Sequence, residues 1–225
     1  MDGLVGLVEA LAKLAGALAW PALLLLLVLR AGPELREFFR NLSEFSLKGG
    51  GFEASAKRSQ AAAALAAAAA TNPRAPADAA PVSARSAADV VASNATTRNL
   101  ARLAGAVVLW VDDSPANNHY ERAALEAVGL RFVLATSTEE ALRLSAAQPV
   151  DAIISDMGRA GDARAGYTLL EQLRARGSQT PFIIYAGSRS PEHVAQALAA
   201  GAFGATNQPD ELFAMVLSAV LGRAA

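Results

Sequence analysis

Three aspartates carry the chemistry this sequence offers. Asp112 and Asp113 follow the apolar run Val107-Val108-Leu109-Trp110-Val111, and Asp156 follows Val150-Asp151-Ala152-Ile153-Ile154-Ser155. Runs of β-branched and bulky apolar residues without a turn former read as strands buried on both faces, as in a parallel sheet. Asp112-Asp113-Ser114-Pro115 then reads as a strand-to-helix turn with Pro at a first helical position. Open α/β sheets bind ligands beyond the carboxyl ends of their strands, so two central strands would deliver these acids to one rim. Carboxylates gathered there repel one another unless a cation lies between them, and a hard, oxygen-seeking ion such as Mg2+ suits the donors. The competing assignment, in which each Asp only caps a helix or closes a turn, fits one isolated acid better than a cluster.

Composition narrows the chemistry further. The chain of 225 residues has no cysteine, which removes disulfides, thiolate metal sites and cysteine nucleophiles. Its 2 histidines, His119 and His193, are too few for a histidine-rich metal site. A formal net charge of -1 makes no case for nucleic acid as a partner. No Gly-rich piece has the form of a nucleotide-binding phosphate loop, so no ATP site is expected. A hydrolase would need a placed general base or a second metal set beside the acids; lacking these, the chain is expected not to be an enzyme.

Beyond Gly105 the pattern alternates strands with helices. Strands are predicted over 107–111, 131–135, 152–155, 181–185 and 203–206, and helices over 115–128, 137–147, 167–176, 191–200 and 209–221. Ser137-Thr138-Glu139-Glu140 has the form of a capping box. Asn117, Asn118, His119 and Tyr120 fall on the first turns after the acidic pair, as pocket residues or as ordinary helix-start chemistry. Each strand followed by a helix implies a parallel sheet covered on both faces, and about 115 residues is a sensible size for one such domain.

Before that region the sequence has a different character. Leu14 to Leu29 lacks charge, and the apolar pattern extends back to Leu4, so residues 1–31 are expected to form a transmembrane anchor rather than a cleaved signal peptide. Arg30, Arg36 and Arg40 follow the span, whereas Lys13 precedes it, which places the bulk of the chain in the cytoplasm. Residues 32–60 read as a juxtamembrane segment, either an amphipathic helix on the inner leaflet or one side of a helix packed in an oligomer, with a small hairpin over 45–54. Residues 61–104, rich in Ala and then in Pro, Ser and Thr, read as a flexible linker that is partly helical and partly disordered. The domain of interest then runs over 105–225.

From about Ala106 to Gly222 the chain resembles the receiver domain of bacterial two-component response regulators. The residues that carry the resemblance are Leu109-Trp110-Val111-Asp112-Asp113-Ser114-Pro115, Ile153-Ile154-Ser155-Asp156-Met157, Gly166-Tyr167-Thr168-Leu169-Leu170 with Arg174, and Gly201-Ala202. The resemblance implies a flavodoxin-like, doubly wound five-stranded parallel sheet. It also implies that Asp156 accepts a phosphoryl group, and that Asp112, Asp113, Asp156 and the backbone carbonyl of Gly158 hold Mg2+. A carboxylate is a poor nucleophile, so positioning and a metal that neutralises phosphoryl oxygens supply most of such catalysis. The implied phosphodonor is a histidine kinase or a phosphotransfer protein, and the output is contact with a downstream protein. With the anchor, the expectation is a single-pass protein of the bacterial inner membrane acting in a phosphorelay.

Several positions depart from that family. Ala186 stands where a Ser or Thr is usual, Gln208 where a Lys precedes Pro, and Ala205 at the position of a switching aromatic. The connection from Arg159 to Ala165 is about two residues longer than usual, and either Arg159 or Arg164 supplies the missing positive charge or both are solvated loop residues. Ser188 is a candidate displaced hydroxyl donor. These departures leave a second expectation open: a pseudo-receiver, a scaffold or interaction module that keeps the acidic pocket and does not switch by phosphate.

Overall fold

The computed structural model describes residues 51–72, 84–188 and 190–222. The expected anchor over 1–31 and residues 32–50 of the expected juxtamembrane segment lie outside them, and no described helix is long and apolar enough to cross a membrane. In chain order the elements are α1 (Gly51–Ala70), α2 (Ala84–Asn94), α3 (Thr97–Leu103), β1 (Val107–Val111), a 3-10 turn (Pro115–Asn118), α4 (His119–Ala127), β2 (Arg131–Ala135) and α5 (Thr138–Ala147). There follow β3 (Ala152–Ser155), α6 (Ala165–Ala175), β4 (Phe182–Tyr185), α7 (Pro191–Ala199), β5 (Gly204–Thr206) and α8 (Pro209–Val220).

All strand pairs are parallel, in the order β2-β1-β3-β4-β5. This is the doubly wound flavodoxin-like order, whose direction of winding reverses between β1 and β3. Along each strand alternate residues enter opposite layers. Val108, Trp110, Ile154, Ile183 and Tyr185 join one apolar cluster, and Leu109, Val111, Ile153, Phe182 and Ile184 join the other. Trp110 meets the edge of Tyr185 at 6.1 Å between ring centroids, and the Tyr185 hydroxyl donates to Glu121 Oε1 at 3.0 Å, so a buried polar tip has an acceptor.

Two stretches differ from the sequence expectation. Residues 115–128 are not one α-helix: Pro115 opens a 3-10 turn before α4, and Arg122 donates to the Pro115 carbonyl across it. The hairpin over 45–54 is replaced in its described part, because Gly51 to Ala54 begin α1, whose first half also takes residues 51–60 from the juxtamembrane segment.

A third difference is larger. The stretch expected as a linker over 61–104 includes the second half of α1 and all of α2 and α3, and these helices share a core with the sheet. Ala61, Leu65, Val91, Leu100 and Leu103 are buried in one cluster with Val108, Trp110, Leu125 and Leu217. Ala54, Ala61, Leu65 and Ala68 recur in steps of about a helical turn or two, and their small size lets the α1 backbone come close to its neighbours. A polyalanine run has no moment to read in sequence, yet its intrinsic helix propensity is the highest available, and one fully buried Leu65 contributes about 2 kcal/mol. Polar ties complete the docking: Asn72 donates to the Asn207 carbonyl at 2.8 Å and Arg102 to the Leu221 carbonyl at 2.9 Å.

Candidate functional site: an acidic cluster at the carboxyl rim

The strand register brings the three aspartates together. Val111 lies opposite Ser155, and the Asp156 N–H continues the ladder by donating to the Val111 carbonyl at 2.9 Å. The residue after each strand is therefore placed side by side, and one carboxylate oxygen from each of Asp112, Asp113 and Asp156 lies within 4.8 Å of the others. Asp112 is 3% exposed, Asp156 half-buried and Asp113 open to solvent. Oxygens at that mutual spacing, and nothing softer among them, fit the donor preference of Mg2+.

Each acid is held by neighbours. Asp112 Oδ1 accepts from the Ser114 N–H at 2.7 Å, and Oδ2 accepts from Asn118 Nδ2 at 2.6 Å. Asn118 is fully buried at the end of the 3-10 turn, so the turn that Pro115 starts is what delivers its amide to Asp112. Of the four residues flagged after the acidic pair, Asn118 is thus part of the site; the His119 and Tyr120 rings meet each other at a tilt, with centroids 5.3 Å apart. Asp113 Oδ2 accepts from the Ala160 N–H at 2.9 Å, which ties it to the loop after β3. Gly158 lies on that loop, exposed, two residues beyond Asp156.

Arg159 is not the solvated loop residue that one of its two expectations described. It is 7% exposed rather than solvated, and its guanidinium donates to Ser155 Oγ at 2.7 Å, the Asp156 carbonyl at 2.9 Å, Thr138 Oγ1 at 2.9 Å and the Ala165 carbonyl at 2.9 Å. Burial pushes its pKa down, and Asp156, Asp112 and Asp113, in that order, oppose the shift. The charge lies near the acids while its donors knot the end of β3 to the starts of α5 and α6. The longer loop makes this possible: Arg159 and Asp162 exchange backbone hydrogen bonds at 3.0 and 2.8 Å around Gly161, whose φ of 82 suits glycine in such a turn. Arg164 stays exposed, 5.4 Å from the Tyr167 ring centroid.

Gly166 is fixed by space rather than by φ. A Cβ there would meet the Asp156 carbonyl oxygen at 3.0 Å and Met157 Cα at 3.2 Å, so α6 starts as close to the rim as its backbone allows. At the far side of the rim Gln208 turns its amide to Asn207 Oδ1 at 3.1 Å. Ser188 engages His193 Nδ1 at 2.7 Å. Sequence reasoning missed the roles of Ser155 and Thr138, since a hydroxyl that serves a neighbouring side chain has no local signature; Asn118 and the odd loop length around Arg159 were visible.

Residues 108–216, a little under half of the chain, match the family model of the response regulator receiver domain. Over 102 residues, 45% of this chain, the sequence is 30% identical to a putative response regulator NtrX-like of Rickettsia bellii (strain RML369-C). The matched part is 21% of that curated relative, so the chain spans about a fifth of its length. Among solved structures, the chemotaxis response regulator CheY4 of Vibrio cholerae aligns over 52% of this chain and 98% of its own, with 28% identity and a TM-score of 0.45. The Francisella response regulator 1452 receiver domain aligns over 54% and 100%, with 24% identity and a TM-score of 0.47. Over residues 108–216 the chain is thus similar to response regulator receiver domains. Domains of this class hold Mg2+ at an acidic cluster, and the cluster of Asp112, Asp113 and Asp156 has the form such an ion needs.

Proposed function

We propose that this protein is a membrane-anchored receiver that takes a phosphoryl group on Asp156 in a Mg2+-dependent phosphorelay and acts through contacts with another protein. The observation that carries the proposal is the meeting of three carboxylates at the carboxyl ends of β1 and β3. A bound Mg2+ would neutralise phosphoryl oxygens there. The chain's own residues supply the rest: Asn118 and the Ser114 N–H hold Asp112, the Ala160 N–H holds Asp113, and Arg159 fixes the Asp156 backbone. Asp156 Oδ attacks the phosphorus of the donor, the bond to the donor's leaving group breaks, and an acyl phosphate results. Receiver domains take phosphate from histidine kinases or phosphotransfer proteins, and a donor of that kind is the expected partner. The uncharged segment from Leu14 to Leu29 and the arginines after it support a single span of a bacterial inner membrane with the receiver in the cytoplasm.

The pseudo-receiver reading has one observation in its favour. Ala186 offers no hydroxyl, and the amide of Gln208 is directed to Asn207, so the β4–β5 side brings neither of the family's two phosphoryl contacts. One experiment separates the readings. The full chain is incubated with a small acyl phosphate and Mg2+, and intact mass is read. A phosphoryl adduct that vanishes in Asp156→Asn supports phosphoacceptance; no adduct across donors and Mg2+ concentrations establishes the scaffold.

A further inference from the structure

A cavity of about 520 Å³ opens beside the acidic rim, between β4, β5, α6 and α7. We propose that it is a binding site for a small, flat aromatic acid, a site separate from the metal cluster and independent of whether Asp156 accepts phosphate. The volume lies within the range of small-molecule pockets, roughly 300–1,000 Å³, and the walls are mainly apolar with a few polar groups at the mouth, the usual division of labour in such sites.

The cavity exists because three facing positions are alanines. Ala186 after β4, Ala205 on β5 and Ala197 on α7 line it, together with Ile184 and Met157. Any larger side chain at Ala205 would fill the space; none of the three does. A slot walled by methyl groups, a thioether and one face of a phenol suits a planar ring, which gains dispersion contacts on both sides. Tyr167 lines it and is only 6% exposed, so its ring is a fixed surface rather than a mobile flap.

The charge at the mouth selects the acid. Arg164 lies over the Tyr167 ring at 5.4 Å, held on the cavity side by the cation–π contact, and its guanidinium geometry is suited to a carboxylate. Across the opening, His193 and Ser188 form a pair at 2.7 Å, and Gln196 adds an amide. Among the described residues no Asp or Glu lines this cavity, whereas three acids crowd the rim next to it. A cation would be drawn to the acids; an anion with an apolar body fits here.

The test uses the full chain, 2-naphthoate as the probe and its neutral counterpart 2-naphthylmethanol, with binding read by isothermal titration. Ala205→Phe is the reference, so that uptake elsewhere on the protein cancels, and Ala197→Leu is a second filling variant should the first unfold by circular dichroism. The expected result is saturable binding of 2-naphthoate that falls at least tenfold in a filled variant. Arg164→Gln should weaken 2-naphthoate roughly tenfold and leave 2-naphthylmethanol nearly unchanged. No saturable binding, equal binding by folded filled variants, or equal loss of acid and alcohol in Arg164→Gln would each overturn the proposal. Chelating Mg2+ or introducing Asp156→Asn should leave the affinity in place, which keeps this result apart from the phosphoryl experiment.

Discussion

The two halves of the carboxyl rim are built on opposite plans. At the ends of β1 and β3 the polar groups form a network: Asp112 with Ser114 and Asn118, Asp113 with Ala160, Arg159 with Ser155, Thr138, Ala165 and the Asp156 carbonyl, while Arg159 Nε stays buried without a partner. At the ends of β4 and β5 stand Ala186 and Ala205 over a cavity, and Gln208 bonded to its own neighbour. The same sheet supports both, since strand order fixes where residues emerge and says nothing about what they are. The difference teaches that an acidic cluster and the groups opposite it vary separately: the first half gathers three carboxylates that could hold a cation, and the second puts alanines at Ala186 and Ala205 and a self-engaged amide at Gln208.

Breaking the polar half should have the largest effect. Arg159→Met removes four donors and leaves two hydroxyls and two carbonyls short of partners in a buried place, so urea unfolding should report a loss of about 3 kcal/mol. A loss below about 1 kcal/mol would mean the knot contributes little and the two halves differ less than their hydrogen bonds suggest. Asp113→Ala removes one anionic ligand while leaving the buried Asp112 in place, and Mg2+ affinity should drop about a hundredfold in a titration; unchanged affinity would take Asp113 out of the ligand set. Converting the sparse half sharpens the contrast instead. Ala186→Thr with Gln208→Lys adds a hydroxyl and a charge-assisted donor, which should raise the yield or lifetime of the Asp156 adduct about tenfold by intact mass. An unaltered adduct would show that Arg159 already supplies what the β4–β5 side lacks.

The sequence made one of these halves far easier to foresee than the other. Val107 to Val111 and Ala152 to Ser155 are apolar runs ended by acids, so strand, rim and cluster follow from pattern alone, and the register needed only the parallel rule to bring Asp156 beside Asp112. Arg159 was legible as an unusual residue in a long loop and illegible as a buried one, because its partners Thr138 and Ala165 come from two other elements. The cavity was invisible: three alanines on separate elements carry no local signal until the sheet faces them toward each other. For α1 to α3 the alanine run hid a docking stripe, since propensity was evident and the partner face was not.

The smallest effect separates the halves by pH. Asp162 Oδ1 accepts from the Arg164 N–H at 2.7 Å and Oδ2 from Thr168 Oγ1 at 2.9 Å, and these bonds, the first foremost, hold its carboxyl below the ordinary aspartate value. Glu139 and Glu140 at the start of α5, where Arg159 reaches Thr138, are lowered too, Glu139 chiefly by its own N–H and Glu140 by that of Thr136. A lowered folded-state pKa means stabilisation that is complete above the unfolded-state value and is lost as pH falls through the folded one. Acid should therefore loosen the Arg159 loop, and amide exchange over residues 159–168 should quicken as pH drops below the usual carboxylate range, after correction for intrinsic rates. Asp162→Asn keeps an acceptor for the Arg164 N–H but loses the charge, so part of that acid dependence should disappear while the baseline stability shifts only slightly. The cavity side has a single counterpart, Glu192 at the start of α7, lowered by its own N–H and by Ser190, and the mutation at Asp162 should leave exchange there untouched. Equal acid sensitivity of both segments in the Asp162→Asn chain would show that protons loosen the rim as one unit, and the division between its halves would then be one of chemistry without a matching division in local stability.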